Sequence, residues 1–320
     1  MMPAAFGMLL QKSPVWASSR KCLQLLLAAA FVIFVARADA APRVLASIKP
    51  IHSLAAAVME GIGKPDLLIT GAASEHGYML RPRDAHAIAS ADLVFWIGPD
   101  LETYLVTPLA TLAKRSASVP LEHAAGVHLL PARAGGVWAR QPSRQHGGVN
   151  PHIWLSPDNA IALTRAMASA LGTIDPAHAR LYAANADREA AMLVQLKRKI
   201  AAELAPVRAR KYIVFHDAYP YFEQAFGLSA IGAVTVAPDR PAGPRSLAAL
   251  HDIIRRGQVD CLFREPQFSP ALVQSLVAET KVRVGVLDPL GADLSPGPNL
   301  YPRLMMEIAD SLRGCLGTRR

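Results

Sequence analysis

The chain has 320 residues, of which 52% are hydrophobic, and a formal net charge of +9 at pH 7. About 280 residues remain after the N-terminal segment described below, which is more than one core usually serves, so two lobes are expected. Removal of that segment leaves a charge of only +6. The sequence contains no helix-turn-helix, zinc-finger or RNA-binding signature, so we expect no nucleic-acid partner.

The first 40 residues are typical of a secretory signal peptide. A basic start with Lys12, Arg20 and Lys21 precedes an apolar run over residues 23–35, and Ala38-Asp39-Ala40 matches a cleavage pattern. The apolar run is shorter than the ~20 residues that cross a bilayer, and no later stretch is long and apolar enough. We therefore predict that residues 1–40 are a cleaved signal and that the mature protein has no membrane span.

An N-terminal α/β lobe is predicted over residues 41–174. Strand patterns alternate with helical patterns, the strands at 43–48, 66–70 and 92–98 and the helices at 55–60, 82–91 and 101–114. This order indicates a parallel sheet flanked by helices. Ligands of such sheets bind beyond the carboxyl ends of the strands, which is where Glu75 and His76 follow the second strand.

His152 lies in the sequence Asn150-Pro151-His152-Ile153-Trp154-Leu155-Ser156-Pro157. Pro151 restricts this turn, and Ser156 and Pro157 predict the start of a helix that covers residues 160–171. Such a turn can present an imidazole to a metal. A lone loop histidine can equally be a buried, hydrogen-bonded residue, and the local sequence leaves both interpretations open.

Periodicity is lost between residues 122 and 149, where we predict a mobile loop. His123, His128 and His146 fall in this segment without regular spacing. They are interpreted either as solvated loop residues or as transient metal ligands.

A long helix over residues 175–205 is predicted to link the lobes. Asp175 and Pro176 fit its first two positions, and Pro206 ends it. A single rigid helix between two lobes limits hinge opening. Its apolar stripe is predicted to contain Leu181, Met192, Leu196, Ile200 and Leu204.

The C-terminal lobe, predicted over residues 206–320, repeats the alternation of strands and helices. His216 follows a predicted strand at 211–215, and Asp288 follows another at 282–287. Both side chains could therefore face the same cleft as Glu75 and His76.

Two of the three cysteines remain after signal cleavage removes Cys22. In the oxidising compartment that export implies, Cys261 and Cys315 are expected to pair. In the chain-entropy model, a disulfide between these cysteines stabilises the folded protein by roughly 4 kcal/mol at most. Two buried free thiols are the alternative.

Three neutral imidazoles and a carboxylate form a nitrogen and oxygen donor set, which suits Zn²⁺ better than Ca²⁺ or Mg²⁺. The candidate donors are His76, His152, His216 and Glu75. Each local signal is weak, because no dense motif such as His-Glu-x-x-His is present. The residues alone indicate an exported two-lobed α/β protein with a metal cleft.

Seven short motifs span nearly the whole mature chain: Ser47-Ile48-Lys49-Pro50, Ala73-Ser74-Glu75-His76-Gly77-Tyr78-Met79-Leu80-Arg81-Pro82, Ala91-Asp92-Leu93-Val94, Asn150 to Pro157, Phe215-His216-Asp217-Ala218-Tyr219, Arg264-Glu265-Pro266-Gln267-Phe268 and Leu287-Asp288-Pro289-Leu290-Gly291. In this order they resemble the motifs of the ZnuA-type periplasmic zinc-binding proteins of ABC importers.

This resemblance implies a monomeric periplasmic receptor, not an enzyme, with two lobes joined by a rigid helix. It implies that zinc binds in the interlobe cleft and is delivered to the membrane permease of an ABC transporter. His76, His152 and His216 match the zinc histidines of the family, and Glu75 matches a carboxylate that completes the site in some members. The two late cysteines match a disulfide of its zinc branch.

The chain also departs from the family pattern. Asn150 stands where an Asp commonly precedes the Pro-His pair, and the segment 122–149 lacks the dense run of histidines and acids that relatives often carry. The second departure leaves a metal-sensing role for this segment doubtful. Four histidines match no ligand position and are interpreted as surface or capping residues: His52, His86, His178 and His251.

Other functions are compatible with the same donor set. A manganese or iron receptor of the same family would use more oxygen ligands, and a zinc hydrolase would use the open position to activate water. An adhesin or a zinc-buffering surface protein is a third possibility. We expect Glu75 or a water as the fourth ligand in preference to Asp288, which is expected instead to hydrogen-bond a ligand histidine.

Overall fold

The computed structural model describes Met1 and residues 41–71, 73–113, 116–133, 136–138, 145–235 and 242–317, with only the backbone at 145–147. The predicted signal peptide, and Cys22 within it, therefore lies outside the described residues except for Met1. In these ranges, no helix combines the length and apolar character needed to cross a bilayer.

The first lobe contains a four-stranded parallel sheet in the order β2-β1-β3-β4. The apolar strands β1 and β3 are fully buried in its centre, as expected for a parallel sheet covered on both faces. The bounds are β1 Val44–Ala46, β2 Asp66–Leu67, β3 Leu93–Trp96 and β4 Ala117–Pro120.

Three helices accompany this sheet: α1 Lys49–Val58, α2 Pro82–Ser90 and α3 Thr103–Leu112. The first begins six residues earlier than predicted, with Pro50 at a helix-starting position. All ten residues of α1 are buried, including His52, whose Nε2 lies 3.0 Å from the main-chain oxygen of Pro65. The interpretation of His52 as a surface residue is therefore wrong.

The segment predicted as a mobile loop forms short strands in its described parts. β5 (Pro131–Arg133) pairs antiparallel with β7 (Gln145–Val149), and β6 (Gly136–Val137) joins the sheet of the second lobe beside β9 (Gly232–Thr235). β5 and β6, with three and two residues, are too short to produce a periodic sequence signal. These short strands form through their pairing with β7 and with β9 of the second lobe.

Two long helices follow, α4 (Pro157–Ile174) and α5 (Ala179–Leu204). The Ser156 hydroxyl caps α4 by accepting from Asn159 N at 3.2 Å. A 3₁₀ turn at Pro176–His178 separates the helices, and α5 runs for 26 residues, so the long helix is present.

The predicted apolar stripe of α5 is only partly buried. Ile200 and Leu204 are buried, but Leu181 and Met192 are 41% and 52% exposed. At these two points the neighbouring residues Tyr182 and Leu193 are buried instead, because α5 packs on α4 along a face shifted by one residue.

The second lobe contains a five-stranded sheet in the order β11-β10-β8-β9-β6, parallel except for β6. The remaining strands are β8 Tyr212–His216, β10 Cys261–Arg264 and β11 Arg283–Val286. The helices are α6 Pro220–Phe226, α7 Pro244–Arg255, α8 Ala271–Val277 and α9 Leu300–Leu316.

A disulfide joins Cys261 on β10 to Cys315 on α9, with 6.1 Å between the Cα atoms, so the predicted pairing is confirmed. One hydrophobic cluster includes residues of both main sheets and of α1, α4, α5 and α9. The lobe boundaries 41–174, 175–205 and 206–320 stay a prediction, and β6 from the first of these ranges lies in the sheet of the second lobe.

Candidate metal site

The four candidate donors come from three separate parts of the chain. Glu75 and His76 lie in the turn that follows β2, His152 lies in the turn after β7, and His216 is the last residue of β8. The turn with His152 is covered by Trp154, whose ring centroid lies 5.2 Å from that of the imidazole. The fold therefore collects at one point residues that are up to 141 positions apart in the sequence.

The donor atoms of these residues form a compact group. One ligand atom from each of the four residues lies within 4.8 Å of the others. The Nε2 atom of His152 is 3.2 Å from that of His76 and 3.1 Å from that of His216. A tetrahedral zinc ion with Zn–N bonds near 2.05 Å separates its nitrogen ligands by about 3.3 Å, so these spacings fit zinc closely.

His152 is held through its other ring nitrogen by Asn150. The Asn150 Nδ2 donates to the main-chain oxygen of Asp217 at 2.6 Å, and this bond fixes the orientation of the Asn150 amide. The Oδ1 of Asn150 is therefore the atom that lies 3.0 Å from His152 Nδ1, and it accepts a hydrogen bond there. The His152 Nδ1 must then carry the proton, so its Nε2 offers a lone pair to the cluster. Burial, followed by the neighbouring His216, lowers the pKa of His152 well below its usual value and keeps the ring neutral.

His216 is held in the same way by Glu265, which follows β10. Both carboxylate oxygens lie 2.7 Å from His216 Nδ1. Burial opposes the charge on this ring, but the Glu265 carboxylate outweighs it and raises the pKa of His216. An imidazole whose Nδ1–H is fixed by a carboxylate directs Nε2 towards a metal, an arrangement that recurs at zinc sites.

The contact between His152 and His216 needs a positive charge. Both rings use Nδ1 to donate to Asn150 and Glu265, so two lone pairs would otherwise meet at the 3.1 Å Nε2–Nε2 contact. A proton can bridge them, and a divalent cation can replace that proton. A group with this arrangement could therefore hold a cation.

Glu75 supplies the carboxylate of the group. Its Oε1 lies 3.8 Å from His76 Nε2 and 3.7 Å from His152 Nε2. The residue is only 1% exposed, and this oxygen has no hydrogen-bond partner among the described residues. A buried, unpartnered carboxylate oxygen is costly, and a bound cation would remove that cost.

Asp288 is not part of the group. Its Oδ1 accepts from Gln267 Nε2 at 2.8 Å and from the main-chain N–H groups of Leu290 and Gly291 at 3.0 Å each. It closes its own turn after β11, and the carboxylate that binds a ligand histidine is Glu265. The suggestion that Asp288 supports a ligand histidine is therefore wrong.

The remaining histidines whose side chains are described do not enter the group. His123 is exposed beside Glu122, and the main-chain N–H of His128 donates to Asn159 at 2.8 Å. His86 is exposed, and Nδ1 of His178 lies 2.8 Å from an oxygen of Asp175 at the start of the long-helix region. The side chain of His146 lies outside the described residues.

Sequence reasoning missed the supporting roles of Glu265 and Asn150. Glu265 directly follows β10, which is the neighbour of β8 in the sheet, so it lies beside His216 at the same sheet edge. The strand order was the missing information. A motif at residues 264–268 and the unusual Asn150 were the available signals.

A known protein family matches most of this chain. The family described as "Zinc-uptake complex component A periplasmic" matches residues 44–315. The chain belongs to the ZnuA family. The predicted family and the α/β class are thus confirmed.

The high-affinity zinc uptake system protein ZnuA of Brucella abortus (strain 2308) is 42% identical over 304 residues, which cover 85% of this chain and 91% of that protein. The protein of the same name from Yersinia pestis is 33% identical over 296 residues, with coverage of 87% and 92%. A zinc-bound deletion mutant of ZnuA has a similar fold, with a TM-score of 0.73, 23% identity and coverage of 88% and 100%.

Proposed function

We propose that this ZnuA family member is a periplasmic receptor that captures Zn²⁺ with high affinity and delivers it to the permease of an ABC importer. The observation that carries the proposal is the group of three imidazole nitrogens and one carboxylate oxygen within 4.8 Å. Zinc prefers this donor set, whereas manganese prefers more oxygen ligands. His76, His152, His216 and Glu75 are the proposed ligands.

The site binds a cargo and performs no reaction in this proposal. Glu75, His152 and His216 are buried, and the side chain of His76 is 10% exposed. His76 is therefore the ligand nearest to solvent, and we infer that the ion enters and leaves on its side. Donors buried to this degree suit the capture and release of an ion better than hydrolysis, which needs an open position beside the metal for water and substrate.

The first prediction concerns His152, which lies at the centre of the nitrogen contacts. The His152→Ala variant should bind zinc at least tenfold more weakly, because the remaining donors lose their common neighbour. The matched control is His86→Ala, since His86 is an exposed histidine outside the group. Zinc affinity is measured by competition with a chromophoric chelator.

Equal zinc affinity of the parent and His152→Ala would contradict the ligand assignment. Tighter binding of Mn²⁺ than of Zn²⁺ by the parent would contradict zinc as the cargo. Delivery is tested by deletion of the gene, which should abolish growth in low zinc; normal zinc uptake in that strain would contradict the receptor role.

A further inference from the structure

Arg133 on β5 binds two buried carboxylates of the second lobe. Its Nε donates to Asp217 Oδ1 at 2.9 Å, and its Nη1 donates to Glu223 Oε2 at 2.9 Å. Its main-chain N–H also donates to Asp217 Oδ2 at 3.3 Å. Asp217 and Glu223 are 2% and 4% exposed, whereas the Arg133 side chain is 27% exposed, so a partly exposed planar guanidinium serves two buried acids.

Trp138 fixes the guanidinium from another side. The Arg133 Cζ lies 3.7 Å from the Trp138 ring centroid, within the range of a cation–π contact. The Trp138 main-chain N–H donates to Ile231 O at 2.9 Å, which anchors it beside β9. Burial disfavours the charge of Arg133, but Glu223 and Asp217 outweigh this and raise its pKa.

Asp217 connects this charged cluster to two of the proposed ligands. It directly follows His216, and its main-chain oxygen accepts from Asn150 Nδ2 at 2.6 Å. The Oδ1 of Asn150 in turn accepts from His152 Nδ1 at 3.0 Å. The position of Asp217 therefore affects the turns of both histidines.

The main chain of β5 reaches the same place. β5 pairs with β7, the strand that leads into Asn150, with Pro131 opposite Val149. The Asn150 N–H donates to Leu130 O at 2.8 Å, and the Tyr221 hydroxyl donates to Asn150 O at 2.6 Å. A displacement of β5 would therefore move the backbone that precedes His152.

We propose that Arg133 is a positioning residue for zinc binding: it holds Asp217 and β5 so that the imidazoles of His152 and His216 keep the spacing that zinc requires. This inference rests on the proposed zinc function. Without the guanidinium, the buried carboxylates of Asp217 and Glu223 lose their shared positive partner, although Glu223 Oε1 still accepts from the Tyr212 hydroxyl at 3.1 Å and from Ala230 N at 3.2 Å. Repulsion between the two carboxylates then displaces the turn after β8. The segment that lacks a dense histidine run thus contributes to the site through its arginine.

The test compares the parent with Arg133→Ala and Arg133→Lys in the full mature chain. Zinc affinity is measured by chelator competition, and the visible absorption of bound Co²⁺ reports the geometry at the metal. Arg133→Ala should weaken zinc binding by about tenfold or more and alter the Co²⁺ spectrum, as expected for a group that supports metal ligands. The zinc affinity of Arg133→Lys should lie between those of the parent and Arg133→Ala, because one ammonium group cannot replace a planar guanidinium that binds two carboxylates.

The matched control is Arg256→Ala, which removes an exposed arginine paired with Asp252 and should change zinc affinity by no more than about twofold. Unchanged zinc affinity and an unchanged Co²⁺ spectrum in Arg133→Ala would overturn the inference, even if the melting temperature falls. If Arg133→Ala does not fold, parent-like binding in both Arg133→Lys and Asp217→Asn overturns it. A parent that binds no zinc overturns the proposed function and this inference together, whereas parent-like variants overturn the inference alone.

Discussion

Glu75 and Asp288 are both carboxylates in segments that follow a strand, yet their surroundings differ. Glu75 has a buried oxygen that lies near two imidazoles and has no hydrogen-bond partner in the described ranges. Asp288 is satisfied by a side-chain amide and by main-chain N–H groups of its own turn. A carboxylate with its acceptors in use has little left to offer a metal.

The second prediction follows from this contrast. Glu75→Gln should weaken zinc binding more than Asp288→Asn, because only the first change removes a charged donor from the group. The amide of Asn can keep one oxygen acceptor for the turn, so Asp288→Asn is a suitable control. Competition titrations measure both affinities, and a larger loss for Asp288→Asn would reverse the assignment.

Individual ligands were more accessible to sequence reasoning than their supports. His76, His152 and His216 each follow a strand or lie in a Pro-restricted turn, which the sequence reveals. The hydrogen bond from His216 to Glu265 depends on β8 and β10 being neighbours, and no local pattern encodes that order. Parallel strands next to each other in a sheet are often far apart in sequence.

The turn from β3 into α3 is built around a buried acid, Glu102. Its Oε2 accepts from Ile97 N at 2.7 Å and from Gly98 N at 3.2 Å. Burial nevertheless raises the pKa of Glu102 to about 7, from an ordinary value of 4.5. Between about pH 4.5 and 7, the Glu102 carboxyl therefore stays protonated in the folded protein and is ionised in the unfolded chain.

The third prediction is a decrease in stability with rising pH. Between about pH 4.5 and 7 the folded state binds the Glu102 proton and the unfolded state does not, so the free energy of unfolding falls with pH and levels off above pH 7. The total fall from this group is at most about 3 kcal/mol. Glu102→Gln should remove this part of the fall in urea unfolding at several pH values.

Burial also raises the pKa of Glu189 on α5 to about 7, so Glu189 contributes a similar fall in the free energy of unfolding with pH. The effect of Glu102 is therefore the difference between the pH profiles of the parent and Glu102→Gln. Glu307→Gln, which changes an exposed acid on α9, is the control. The same pH profile in the parent and Glu102→Gln would contradict the assignment.

The fourth prediction concerns the disulfide between β10 and α9. The sequence separation of 54 residues corresponds, in the chain-entropy model, to about 4 kcal/mol of stabilisation at most. The double variant Cys261→Ala, Cys315→Ala should therefore unfold at lower urea. Hydrogen exchange should increase in α9 and β11 more than in the first sheet; equal protection everywhere would contradict a local role.

Long apolar strands and capped helices were predictable, while the segment between β4 and α4 was not. β3 and β8 are continuous apolar runs, and Ser156-Pro157 marks the start of α4. β5 and β6 have three and two residues and pair with distant partners. Their structure is determined by tertiary contacts, which outweigh weak local preferences.

The two lobes are tied together by polar contacts as well as by the long helix. Lys49 at the start of α1 is 6% exposed, and its Nζ donates to the main-chain oxygens of Gly291, Ala292 and Leu294 at 2.9, 2.6 and 3.1 Å. The Trp154 Nε1 donates to Pro289 O at 2.8 Å. These bonds join the first lobe to the segment after β11 and oppose separation of the lobes.

The fifth prediction is that Lys49→Met loosens this connection. It removes a charged donor and leaves three carbonyl acceptors without it, which should lower the free energy of unfolding by about 2 kcal/mol. Hydrogen exchange near residues 289–294 should become faster. Lys281→Met, at an exposed position, should leave both measurements unchanged; no difference between the two variants would contradict the role of Lys49.

The order of the ligands along the chain has a consequence for biosynthesis. The candidate histidines occur at positions 76, 152 and 216, and the ring of His216 is fixed by Glu265. Glu265 directly follows β10, and β10 is joined to α9 by the disulfide between Cys261 and Cys315. Chains fold from the N-terminus as they are made. The group of candidate donors therefore becomes complete only after Glu265 has been made, so a chain that ends before this residue would lack the assembled group.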